Sequence, residues 1–275
     1  MGAFSLRVFN QCPWSGCQRS AQEKMRSFFV HERRSPRHFG SAAKGFCQRG
    51  DMAESQIKSK ERVAERGEVF TAEREVKAMC DLVKNETENI YSRFLEPACG
   101  DGNFLAEILR RKLGVVTRKY GKSAYDWERN SLLALGSMYG VDILADNCEI
   151  CRERLLGIWD KEYRAVCKKE CNDETRASAK FILNRNIVCG NALTYHLVDE
   201  NGEDVGIPIV FSEWTFPRND AFIYRKDYIF EHLVNGNSGK VIYETKDLFT
   251  DVEQSDGEGI FIEEYKSHYR RLGNE

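Results

Sequence analysis

The chain has 275 residues, 41 Lys and Arg against 43 Asp and Glu, and a formal net charge of −2. That length buries one substantial α/β core with room for an appendage, and the absence of a run of about eighteen apolar residues excludes a membrane-spanning helix. Nothing in the use of its ten cysteines indicates an oxidising compartment, so reduced thiols and a cytoplasmic location are the expectation.

The charge is unevenly spread, with nine Lys/Arg against three Asp/Glu in residues 1–51 and 32 against 40 in residues 52–275. The first segment carries "RRSPR" at Arg33 to Arg37, scattered glycines and no sustained apolar period, and a fresh Met52 opens better-patterned sequence. Residues 1–51 are read as a disordered leader or a non-native upstream extension. A targeting peptide and a basic nucleic-acid arm are the alternatives.

From Gly67 to Thr71 the string "GEVFT" introduces a helix, with Thr71 as N-cap, Glu73 in the first turn, and Val76, Met79, Leu82 and Val83 as its apolar stripe. The run Phe94 to Leu105, "FLEPACGDGNFL", then compresses a strand, a glycine loop and a helix start. Phe94 and Leu95 suit a buried parallel strand, Gly100 and Gly102 allow positive φ and close approach of a ligand, and Asn103 opens an amphipathic helix. Such a loop sets backbone N–H groups and a helix N-terminus against a polar ligand. Glu96 at the strand's carboxyl end would repel phosphate and suits hydroxyls or an ammonium, so a nucleoside carrying an amino acid fits best.

Phe104, Leu105, Ile108, Leu109 and Leu113 repeat at helical spacing, with Arg110 to Lys112 expected on a solvated face. A second helix around Trp127 to Tyr139 delivers the chain to a strand ending at Val141, with Asp142 at its tip, where a carboxylate can accept hydrogen bonds from both ribose hydroxyls. Cys148-x2-Cys151 and Cys167-x3-Cys171 have spacings used by zinc sites, but both pairs fall in helix-patterned sequence without knuckle turns, and no metal is assigned. Lys161 to Arg185 reads as one long charged helical linker. "NIVCGNAL" follows as a strand at Ile187 and Val188 and a turn at Gly190 to Leu193, where Asn191 either recognises a ligand edge or serves a left-handed turn. "IPIVFSEWTFPRNDAFIYRKDYIF" alternates on both sides of Pro217 to Asp220 and reads as a β-hairpin.

"EPACGDGNFL" resembles the S-adenosylmethionine loop of the N6-adenine DNA methyltransferases of restriction-modification systems, over roughly residues 56–235. The resemblance implies an α/β fold: a Rossmann-like class I methyltransferase core, of which three strands can be placed, with an appended β-hairpin. It divides the chain into 1–51, a cofactor-binding core at 52–205, and a hairpin and tail at 206–275. It implies S-adenosyl-L-methionine as cofactor, held by Phe70, Thr71, Glu96, Ala98, Gly100, Gly102, Asp142, Ile143 and Asn191. Gly67 to Thr71 is similar to the segment that closes over the methionine end, with Ala72 in place of proline, and Asn191 replaces the family's usual acid.

The implied activity is site-specific methylation of DNA at adenine N6, with DNA as partner alongside a specificity or restriction subunit, and no membrane. The family activates the amine with Asp/Asn-Pro-Pro-Tyr/Phe, whose aromatic ring stacks on the flipped base. No such string occurs here. Glu213 could accept the amine hydrogens and Trp214 could stack a base, which makes them the catalytic candidates. The hairpin as a structural or protein-binding element and as a single-strand platform are the other readings. A non-catalytic cofactor-binding subunit and a methyltransferase for a non-DNA acceptor remain as alternative functions.

Overall fold

A computed structural model of the chain describes residues 7–9, 71–217, 220–235 and 261–274. Phe70, the rest of the leader and most of the acidic tail lie outside the described residues.

Three short apolar segments, β2 (Arg93–Glu96), β3 (Met138–Asp142) and β4 (Ile187–Asn191), pair in parallel in that order. Parallel neighbours need long crossovers, and the chain supplies two helices each time. α3 (Asn103–Tyr120) and α4 (Ala124–Gly136) join β2 to β3, and α5 (Ala145–Cys167) and α6 (Asp173–Asn186) join β3 to β4; α1 (Glu73–Leu82) and α2 (Lys84–Thr87) precede them. Beyond β4 the sheet turns antiparallel through β5 (His196–Val198) and β6 (Asp204–Pro208). At its other edge β1 (Arg7–Phe9) runs antiparallel to β2, so these three residues of the expected leader satisfy that strand's open edge. The fold is mixed α/β with a mixed parallel and antiparallel sheet.

The alternation of β2 and β3 sorts their side chains. Phe94 and Met138 join the helices in one core, whereas Leu95, Tyr139 and Val141 face the other way and pack with Ile209, Phe211 and Phe230. Those partners come from the start of the expected hairpin, at and just before β7 (Val210–Thr215), and from α7 (Phe230–Asn235); β7 pairs with β8 (Phe222–Ile229), which β9 (Phe261–His268) extends to three strands. The boundary expected between 205 and 206 falls inside β6, and Trp214 and Ile223 belong to the same core as α3 and α4.

Four local expectations change. Ala72, not Thr71, is the N-cap of α1 and makes no side-chain cap, with Glu73 and Glu75 supplying negative charge to the first turn instead. Leu82, assigned to that helix's apolar stripe, is 85 % exposed. Lys161 to Arg185 is not one helix: α5 ends at Cys167, a 3-10 turn covers Lys168–Glu170, and Asn172 caps α6 by accepting the Thr175 N–H at 2.7 Å. Lys112, expected in solvent, is fully buried. Its ammonium donates to the Ser92 carbonyl and to Ser137 Oγ, both at 2.5 Å, and sits 5.0 Å from the Phe94 ring centre. Burial pushes its pKa well down, and those partners fasten the entry of β2 to the α4–β3 junction.

Candidate functional site

The glycine loop lies where β2 and β3 end. After Glu96 the chain turns so that the Cys99 N–H donates to the Val141 carbonyl at 2.9 Å, which folds the loop over the carboxyl end of β3. The Gly100 N–H donates to Asp142 Oδ2 at 2.9 Å, and Asp142 Oδ1 accepts the Leu144 N–H at 2.9 Å and the Asn147 amide at 3.3 Å. Asp142 therefore clasps two successive strand ends as well as standing at the strand tip. From α5, Arg154 donates to Asn103 Oδ1 at 2.6 Å and pairs with Asp101 Oδ2 at 3.3 Å, bracing the loop where it becomes α3. Arg154 and Asn147 were not read as site residues, because neither sits in a local motif. Their helical spacing after Asp142 was the available signal.

Both loop glycines have positive φ, 52° at Gly100 and 86° at Gly102. Gly102 is the N-cap of α3, and a Cβ there would stand 2.6 Å from Cys151 Sγ. Gly102→Ala combines the left-handed penalty of ~1–2 kcal/mol with that collision, so a loss of roughly 2–4 kcal/mol is expected in urea unfolding. The thiol neighbourhood includes Cys148, whose Sγ donates to the Asp142 carbonyl at 3.6 Å, and Cys99, whose thiol donates toward Cys148 and Cys151. Among the described residues no group of three or more His, Cys, Asp or Glu could hold a metal ion.

Glu96 is the chemically unusual member. It is 3 % exposed, burial alone raises its pKa from 4.5 to about 8, and its Oε2 has no hydrogen-bond partner among the described residues. A carboxyl group held this way stays largely protonated at neutral pH, and its second oxygen lacks a donor. Ala98 and Ile143 are exposed beside the loop and the tip of β3 respectively. Asn191 ends β4, with its Oδ1 accepting the Leu193 N–H at 3.0 Å, so it serves the turn in this structure. Thr71 lies just ahead of α1, and Phe70 is outside the described residues.

Glu213 and Trp214 stand elsewhere. Glu213 forms an ion pair with Arg93, the first residue of β2, and accepts the Tyr228 hydroxyl at 3.0 Å. The Trp214 ring covers Gly136, the last residue of α4 before β3, where a Cβ would meet Cδ1 at 2.7 Å. Both residues thus sit at the amino ends of the parallel strands, with the sheet between them and the loop, and they do not form a catalytic pair beside it. The alternating pattern around them marked a hairpin; only the tertiary packing fixes which end of the sheet it covers.

Compared with family models, curated proteins and solved structures, the chain matches none. No helix among the described residues is long and apolar enough to cross a membrane.

Proposed function

We propose that the chain binds S-adenosyl-L-methionine at the Glu96–Gly102 loop and belongs to the adenine-N6 DNA methyltransferases, on a Rossmann-like class I core formed by β2, β3 and β4 with their crossovers. The observation that carries the reading is Glu96: a buried carboxyl group with an unpartnered oxygen, at the carboxyl end of a parallel strand and next to a loop of two positive-φ glycines. Ligands of open α/β sheets bind at the carboxyl ends of the strands. Glu96 would hold a hydroxyl or the ammonium, the Gly100 to Gly102 backbone would admit the cofactor closely, and Asp142 with Ile143 would meet its ribose and adenine. The bound cofactor supplies a methyl group already activated by a sulfonium centre.

A second reading is favoured by a separate observation. With Glu213 paired to Arg93 and no Asp/Asn-Pro-Pro-Tyr/Phe string, the chain lacks an evident group to activate an adenine amine. It then serves as a cofactor-binding or assembly subunit whose partner supplies catalysis and DNA reading. Incubation with tritiated cofactor and duplex DNA, followed by nucleoside analysis, separates the two. Label in N6-methyladenine is expected for the enzyme, and cofactor binding without transfer for the subunit. Absence of binding contradicts both.

A further inference from the structure

At the opposite end of the sheet the hairpin, α4 and the entry to β2 border an open cleft of about 580 Å³, within the size range of small-molecule sites. Its lining includes the aromatic residues Tyr91, Tyr120 and Phe216. Arg129 on α4 has its guanidinium carbon 4.7 Å from the centre of the Phe216 ring and 5.2 Å from that of Tyr125, which holds it against the wall. Asp126, one turn before it, and Asn130, the next residue, border the same space, with the Asn130 amide donating to the Asp126 carbonyl at 2.8 Å, which orients its oxygen. The other lining charge, Arg93, is neutralised by Glu213.

These features define the ligand's chemistry. An aromatic lining selects a planar ring. Asp126 offers an acceptor and Asn130 both kinds of group, so the ring's edge must carry acceptors and donors. The lining charges oppose one another, which removes any preference for a phosphate or a free carboxylate. A purely apolar ligand would leave the Asp126–Asn130 edge unpaired, at a cost. We propose that this cleft is a binding site for a planar, uncharged heteroaromatic ring of nucleobase type, separate from the glycine loop and independent of the cofactor reading. Such a ring arrives either as a free nucleoside or as an unpaired base in a DNA strand.

The test uses the full chain saturated with S-adenosylhomocysteine, so that the loop site is filled wherever it binds. Two fluorescent probes are titrated, 2-aminopurine riboside and a single-stranded oligodeoxynucleotide carrying one 2-aminopurine. Quenching of at least one is expected, the riboside arm identifying a free nucleoside and the oligonucleotide arm alone identifying a strand. Tyr91→Ala and Asn130→Leu should each weaken that binding by about tenfold or more, given ~1–3 kcal/mol for a stacked base. Tyr91 is 63 % exposed, so its truncation leaves the core intact and an unchanged thermal transition verifies the fold. The proposal is overturned if neither probe is quenched, or if both variants bind the quenched probe as tightly as wild type does. It also fails if S-adenosylhomocysteine abolishes the quenching, which would locate the probe at the loop.

Discussion

Glu128→Ala is expected to destabilise the protein by ~3–5 kcal/mol, the cost of stripping the acidic partner from a buried charged network. Glu128 is fully buried on α4, and its two oxygens collect donors from three parts of the chain. Oε1 accepts the Tyr163 hydroxyl at 2.5 Å from α5 and the Asn172 amide at 3.1 Å, while Oε2 accepts the Tyr269 hydroxyl at 2.6 Å and Arg270 at 2.7 Å. Removing the carboxylate leaves the Arg270 charge and two buried phenols without their acceptor. Both phenols are pushed well above the ordinary tyrosine range, first by burial and then by the Glu128 hydrogen bond. Hydrogen exchange should show residues 269–272 losing protection before α4, because their tie to the core runs through this carboxylate. A loss below about 1 kcal/mol would mean the network is solvated rather than structural.

Glu96→Gln is expected to flatten the pH dependence of folding between about pH 5 and pH 8. In the folded chain Glu96 keeps its proton up to about 8, whereas an unfolded glutamate loses it near 4.5. Between those values the native state binds the extra proton, so stability falls as pH rises; below pH 4.5 the penalty is absent, and above pH 8 it is complete. The full span corresponds to a penalty on the order of 3–5 kcal/mol. Glutamine cannot ionise, so the variant should match wild type near pH 5 and exceed it at pH 8.5 in urea titrations. Parallel pH profiles in the two proteins would remove Glu96 as the buried acid.

The glycine run was legible because its information is local. Strand, turn and helix start follow one another within Phe94 to Leu105, and each demands particular residue types: apolar side chains for β2, glycines where φ is positive, and an amphipathic period for α3. Asp142 was found for the same reason, as an acid just past an apolar strand. What local pattern could not supply was partnership. Lys112 looked solvated beside Arg110 and Arg111, yet the crossover carries it under β2, where Ser92 and Ser137 accept its protons. Glu213 and Trp214 carried suitable chemistry, but Arg93 and Gly136 draw them to the amino end of the sheet. Asn191 was legible only as a choice, and its own turn takes its side-chain oxygen. The antiparallel continuation through β5 and β6 was missed because these strands are short and mostly half-buried or exposed, so they show no apolar run.

The proposed cofactor site requires a donor-bearing ligand to complete Glu96, whose second carboxyl oxygen has no partner among the described residues. Isothermal titration of the full chain with S-adenosylmethionine near pH 7, repeated in buffers of different ionisation enthalpy, tests it most directly. An ammonium or hydroxyl donor reaching Glu96 favours the ionised form, so binding should release close to one proton in wild type and none in Glu96→Gln, with affinity lost in Gly102→Val. No binding by the folded wild type, or binding without proton release and with affinity unchanged from wild type in both variants, would rule out this site.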